Sequence, residues 1–181
     1  MFTVLLDNGH GVNTPGKCSP KKPDGTRFRE YKWARTLVDC LSLKLKMLGY
    51  NVFVVTPEQE DISLGERVRR INKVVSQYGA SNCIMISIHV DAAGCNDTWM
   101  TARGWSAYTT RGQNNSDKLA ECLYSAAEER LLNDPVIKTS YAGEMQKLLR
   151  KDTSDGDKDK EADFYIIKKS NCPSVLTENM F

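Results

Sequence analysis

Short apolar runs and amphipathic helical patterns alternate along this chain, and that alternation restricts its fold more than any other feature. Phe2 to Leu6 is an apolar run that ends in Asp-Asn-Gly, a turn signal. Glu30 to Leu48 reads as a helix, because Trp33, Leu37, Leu41, Leu45 and Leu48 fall on one face and Gly49 stands where a C-terminal cap belongs. Asn51 to Val55 reads as a second strand. Ser63, with Glu66 three residues on, opens a second helix whose face is Leu64, Val68, Ile71, Val75 and Tyr78, and Gly79 closes it. Cys83 to Ile88, "CIMISI", is apolar almost throughout, as a strand buried on both faces should be. Gly104 to Thr109 is a further strand candidate. Ser116 to Leu132 is a third helix, with Leu119, Leu123, Ala126 and Ala127 as core positions. Lys151 to Asp163, dense in mixed charge and turn formers, reads as an exposed loop. Phe164 to Ile167 and Ser174 to Thr177 read as two last short strands. The expectation is an α/β fold: a single domain over residues 1–181, with a twisted, mostly parallel mixed sheet flanked by helices on both faces.

The charge balance excludes some functions. Twenty-five Lys and Arg stand against twenty-three Asp and Glu, a net charge of +2, and the basic residues are scattered rather than striped. No nucleic-acid partner is expected from such a distribution. No apolar stretch approaches the ~20 residues of a membrane span, and the N-terminus has no signal-peptide shape. The six cysteines, Cys18, Cys40, Cys83, Cys95, Cys122 and Cys172, form no CxxC pair. That removes a zinc ribbon and a thioredoxin motif at the motif level, and the expectation is buried free thiols in a reducing compartment, with disulfides still open.

In α/β folds ligands collect at the carboxyl ends of strands. The chain has two histidines, and both stand at such ends: His10 in "LLDNGHGVNTPG" and His89 in "SIHVDA". Glu178 follows the last strand, and Glu30 begins the first long helix. Two histidines and one carboxylate are a common protein complement for a catalytic zinc, which keeps a water in its fourth position. A second carboxylate, off the metal, can move the water's proton to a leaving amine. Gly9 and Gly11 let the backbone come close to a metal and its substrate. Plainer roles fit the same residues: a hydrogen-bonded histidine, an acidic residue at the positive end of a helix, a solvated glutamate near the chain end. No HExxH is present, so the helical zinc-protease arrangement is absent.

The motifs in order resemble those of the zinc-dependent N-acetylmuramoyl-L-alanine amidases, the cell-wall hydrolases that include bacterial autolysins and phage endolysins. The matching pieces are "LLDNGHG", Glu30 in "REYKWAR", "DISLGERVRRIN", "SIHVDAA" and "PSVLTENMF". The resemblance implies one zinc ion, Zn2+, held by His10, Glu30 and His89, with Glu178 as catalytic acid/base. It implies a peptidoglycan substrate, cut at the amide between the lactyl group of N-acetylmuramic acid and the L-alanine of the stem peptide. It further implies a monomer acting at the bacterial cell wall, reached by phage-type release or after loss of a leader. Family members carry more chain after the glutamate strand, where this sequence has Asn-Met-Phe, so a short C-terminal piece is expected to be lacking. Two other readings stay open on the same residues: a zinc carboxypeptidase or endopeptidase acting within the stem peptide, and a non-catalytic wall-binding module with a vestigial site.

Overall fold

The sheet is built outward from β1 (Thr3–Asn8), whose residues are all buried. In this computed structural model, which describes residues 1–94 and 97–179, β1 pairs in parallel with β2 (Asn51–Val54) on one side and β3 (Cys83–His89) on the other. β3 pairs in parallel with β6 (Ser174–Asn179), and β6 pairs antiparallel with β4 (Trp105–Thr109). The two-residue β5 (Lys160–Glu161) joins β4 in parallel, giving the order β2-β1-β3-β6-β4-β5. The expectations for Cys95 and for the closing Met180 and Phe181 lie outside the described residues.

Side-chain alternation then sorts the helices onto two faces. Leu6, Ile86 and Val175 share one register row, and their face packs under α1 (Glu30–Met47) and α3 (Asn115–Asn133). Leu5, Met85 and Leu176 point to the other face, where α2 (Leu64–Tyr78) and α5 (Tyr165–Lys169) cover them with Val68, Ile71, Val75, Ile166 and Ile167. β3 is therefore apolar on both sides, as its sequence predicts. Helices flank both faces of one mixed, mostly parallel sheet. Among the described residues no helix is long and apolar enough to cross a membrane.

Several elements differ from the sequence expectation, each for a physical reason. Phe164–Ile167 is not a strand. Tyr165–Lys169 is a helical turn, and adjacent Ile166 and Ile167 are both buried against α2's face, which strand alternation does not allow. A short apolar run does not by itself separate a strand from a buried helix. On α3, Ala126 is exposed and Ala127 half-buried; Ala120 and Tyr124 are the core residues instead. Tyr124 is fully buried because its hydroxyl has two partners, accepting from the Ala107 N–H at 3.2 Å and donating to the Arg150 carbonyl at 2.9 Å. Leu48, Leu64 and Tyr78 end their helices in solvent. α4 (Pro135–Ser140), capped by Asp134, has no counterpart in the sequence reading. The stretch Lys151 to Asp163 is not wholly exposed, since it supplies β5 and the buried Asp159. Cys83 and Cys172 are buried as expected, but Cys40 and Cys122 are exposed; these four and the half-buried Cys18 are all free thiols.

Ile71 has no exposed surface and Leu64 is 52% exposed, although both sit on the apolar stripe of α2. Ile71→Ala is expected to cost about 2–5 kcal/mol in urea unfolding and Leu64→Ala within about 0.5 kcal/mol. Equal losses would refute this packing.

Candidate metal centre

The site forms where β1 and β3 end side by side. β1 continues past its apolar residues into buried Asp7 and Asn8, and such groups stay buried only when paired. Arg67 of α2 is that partner. Its guanidinium meets Asp7 at 2.6 Å and Asp61 at 2.9 Å, and donates to the carbonyls of Asn8, His10 and Ile62 and to Thr56 Oγ1. Ser87 Oγ donates to the other Asp7 oxygen at 2.6 Å, and Asn8 Oδ1 accepts from Thr56 Oγ1. Arg35 of α1 gives His10's carbonyl a second donor at 3.0 Å.

These contacts hold a strained turn. Among the described residues His10 is the one non-glycine residue with positive φ, at 62°. That conformation costs an L-residue about 1–2 kcal/mol and persists where the surroundings over-determine it. It turns the imidazole toward Glu30, the first residue of α1. The segment before Glu30 is a clasp: Cys18 bridges Arg29, and the Glu30 N–H donates to the Lys17 carbonyl at 3.3 Å.

Three ligand-type side chains converge as a result. Glu30 Oε1 lies 3.4 Å from His10 Nε2 and 3.1 Å from His89 Nδ1, and accepts from the Val90 N–H at 3.0 Å. The two imidazoles stand edge to face, 4.9 Å apart. Candidate ligand atoms of the three residues all lie within 4.8 Å of one another, so the group could hold a metal ion. Burial works against ionisation of Glu30, but the hydrogen bonds and charge of the imidazoles and the Val90 N–H outweigh it and hold the carboxyl well below its usual range. Glu30 is thus a carboxylate turned inward to two histidines, not a solvated residue favouring a helix end.

The fourth expected residue lies across the strand pair. Glu178 of β6 is in register with His89 of β3, so both side chains leave the sheet on the same face. Its Oε2 is buried without a hydrogen-bond partner among the described residues. Burial, with the negative charges of Asp91 and Glu30 and against the pull of His89, pushes its carboxyl up to about 7. The adjoining cleft of about 250 Å³ is bounded by Gly9, His10, Asp61, Leu64, His89 and Ile166.

The glycines act differently from the sequence expectation. A Cβ on Gly9 would sit 2.3 Å from the His89 ring, and one on Gly11 would sit 2.0 Å from the Asp61 backbone nitrogen. Gly9 makes room for the second imidazole, and Gly11 for the segment that carries Asp61. Sequence reasoning quoted Asp61 and Arg67 inside "DISLGERVRRIN" without giving them work. Arg67 carries a readable signal, a charge inside the apolar stripe of Leu64, Val68 and Ile71. Asn179 carries none, although its amide donates to the His89 carbonyl at 3.0 Å and accepts from the Trp105 indole.

The profile of the N-acetylmuramoyl-L-alanine amidase family matches residues 4–181. The chain belongs to that family. It is similar to the N-acetylmuramoyl-L-alanine amidase AmiC of Neisseria meningitidis serogroup B, 27% identical over 98% of this chain and 45% of the relative. The amidase-family chain thus spans less than half the length of that relative. Its fold is similar to that of part of Cwp6 from Clostridium difficile (TM-score 0.68, 21% identity, 99% of this chain and 24% of that one). It also matches an N-acetylmuramoyl-L-alanine amidase from Clostridium difficile 630 (TM-score 0.63, 24% identity, 99% and 80%).

Two substitutions test how the centre is held. Gly9→Ala is expected to displace the His89 ring and weaken metal binding by tenfold or more, on the order of the loss that follows when a supporting neighbour of a ligand is removed. Titration against a competing chelator reads this, and unchanged affinity would refute the steric argument. Arg67→Met strands the Asp7 carboxylate and should cost about 3–5 kcal/mol in urea unfolding.

Proposed function

We propose that this chain hydrolyses peptidoglycan at the amide between N-acetylmuramic acid and the L-alanine of the stem peptide. The observation that carries the reading is the buried, unpartnered Oε2 of Glu178 beside a converging His10, Glu30 and His89 set, in a chain of the amidase family. His10, Glu30 and His89 would hold one zinc ion, since two imidazoles and one carboxylate suit that metal. Zinc there would supply Lewis acidity, polarising a carbonyl and lowering the pKa of a water.

The chain's own residues supply the rest. Glu178, with Oε2 free of competing donors, takes the proton of the attacking water and returns it to the departing L-alanine nitrogen. Burial suits both tasks, because it lets the carboxyl gain and lose a proton near neutral pH. Glu30 keeps its charge and brings the negative oxygen to the point where both imidazoles converge. Arg67 and Arg35 hold the His10 carbonyl and with it the ring's direction. The cleft along Gly9, Asp61 and Leu64 offers the stem peptide a path to the reacting bond. The cell wall is the place of action, and the domain spans the chain.

Purified peptidoglycan incubated with zinc-loaded protein should yield stem peptides with a new free L-alanine amine. Product mass spectrometry checks this. A new amine further along the stem would establish a peptidase instead, and no release from several wall types would overturn hydrolysis. Glu178→Gln is expected to lower turnover by about a hundred- to ten-thousand-fold while one zinc per chain remains bound. An active variant would remove Glu178 from this role.

A further inference from the structure

A second group of acids lies away from His10 and His89, at the far edge of the sheet. Asp117 stands in the first turn of α3, Asp159 precedes β5, and Asp157 lies two residues earlier in the charged loop. Candidate ligand oxygens of these three residues all fall within 4.8 Å of one another. Each carboxylate is fixed from outside through its Oδ2. Asp117 accepts from the Asn114 N–H in a capping box, Asp157 from the Gln113 amide at 2.6 Å, and Asp159 from the Thr109 hydroxyl at 2.6 Å.

The other oxygens make the cluster more than a patch of negative charge. Four buried side-chain polar atoms lack a hydrogen-bond partner among the described residues, and two of them are the Oδ1 atoms of Asp157 and Asp159. Asp159 is only 2% exposed, and no donor among the described residues reaches that oxygen. The cation between them in sequence does not help. Lys158 directs its ammonium to Glu121 at 2.6 Å and Glu128 at 3.3 Å. Burial and the charges of Asp157 and Asp117 push the Asp159 carboxyl up to about 7, as expected of like charges with no counter-ion.

We propose that Asp117, Asp157 and Asp159 form a divalent-cation site, distinct from the histidine centre, that takes calcium and fastens the 151–159 loop to β4 and α3. The donor set is oxygen alone, which selects hard cations over zinc. Calcium fits better than magnesium because it accepts irregular geometry and more ligands. Waters complete its shell from the adjoining groove of about 950 Å³, bounded by Asn114, Asp117, Gly156 and Asp157. The cation turns the repulsion of three carboxylates into a cross-link between α3, the end of β4 and the loop entering β5. This assignment does not depend on the amidase reading.

The test uses the full chain carrying one zinc per molecule, so that the histidine centre is filled before calcium is added. Calorimetric titration near neutral pH should show one saturable calcium site, and the melting temperature should climb with calcium concentration. Asp157→Asn and Asp159→Asn are expected to give a crossed signature. Without calcium they melt at or above the wild-type temperature, because a repelling charge is gone. With calcium they gain nothing, while their zinc content stays at one. No saturable binding up to about 10 mM calcium, or variants that answer calcium as the wild type does, would overturn the proposal. The half-buried Asp157 keeps the test usable if the Asp159 variant does not fold.

Discussion

The ion pair between Arg67 and Asp7 is the contact on which the rest of this structure hangs. Both side chains are almost fully buried, 2% and 1% exposed. A lone buried charge would cost several kcal/mol, so neither residue tolerates loss of the other. One guanidinium reaches the end of β1, Thr56 just beyond β2 and the segment before α2. Asp7 stands 60 residues before Arg67, so the end of β1 must close on α2 before the donors aimed at Asp7 and Asn8 can be used. The pair therefore stabilises little by itself, yet it specifies one arrangement of the strand end. The left-handed turn at His10 is a consequence of that arrangement.

The chemistry follows from how differently the carboxylates nearby are treated. Glu30 and Glu178 both lie close to His89; Glu30 is buried, and so is the Oε2 of Glu178. Glu30 is given donors, two imidazoles and a backbone N–H, and stays charged. Glu178 is given none for Oε2 and holds a proton far more readily. Opposed environments for two acids are how one pocket contains both a fixed charge and a mobile proton. In β6 the neighbouring Asn179 locks the strand to His89's carbonyl, so Glu178 is held by the sheet and not by a loop.

Much of this was legible in the sequence because it rests on periodicity. The helices with long apolar faces and the two-sided strand β3 came through, and strand ends with a scarcity of histidine, both local signals, pointed to the end of the sheet where His10, Glu30 and His89 converge. What escaped reading was decided by partners distant in the chain. Phe164 to Ile167 became a helical turn because Ile166 and Ile167 both found the α2 face. Tyr124, and not Ala126, entered the core because a backbone N–H and a carbonyl awaited its hydroxyl. Asp159 lies buried inside a stretch whose composition speaks of solvent, held by Thr109, fifty residues earlier. No window of neighbouring residues carries such information.

The position of β6 has a consequence for how the molecule comes into being. Residues 174–179 do not extend the sheet at its border; they slot between β3 and β4, and their hydrogen bonds are the link between those two strands. Until that segment arrives, β3 has an open edge and the β4–α3 unit has no seat on the β1–β3 half. A chain emerging from the ribosome in order can gather His10, Glu30 and His89 long before Glu178 exists beside them. Completion of the sheet and arrival of Glu178 beside His89 are the same event.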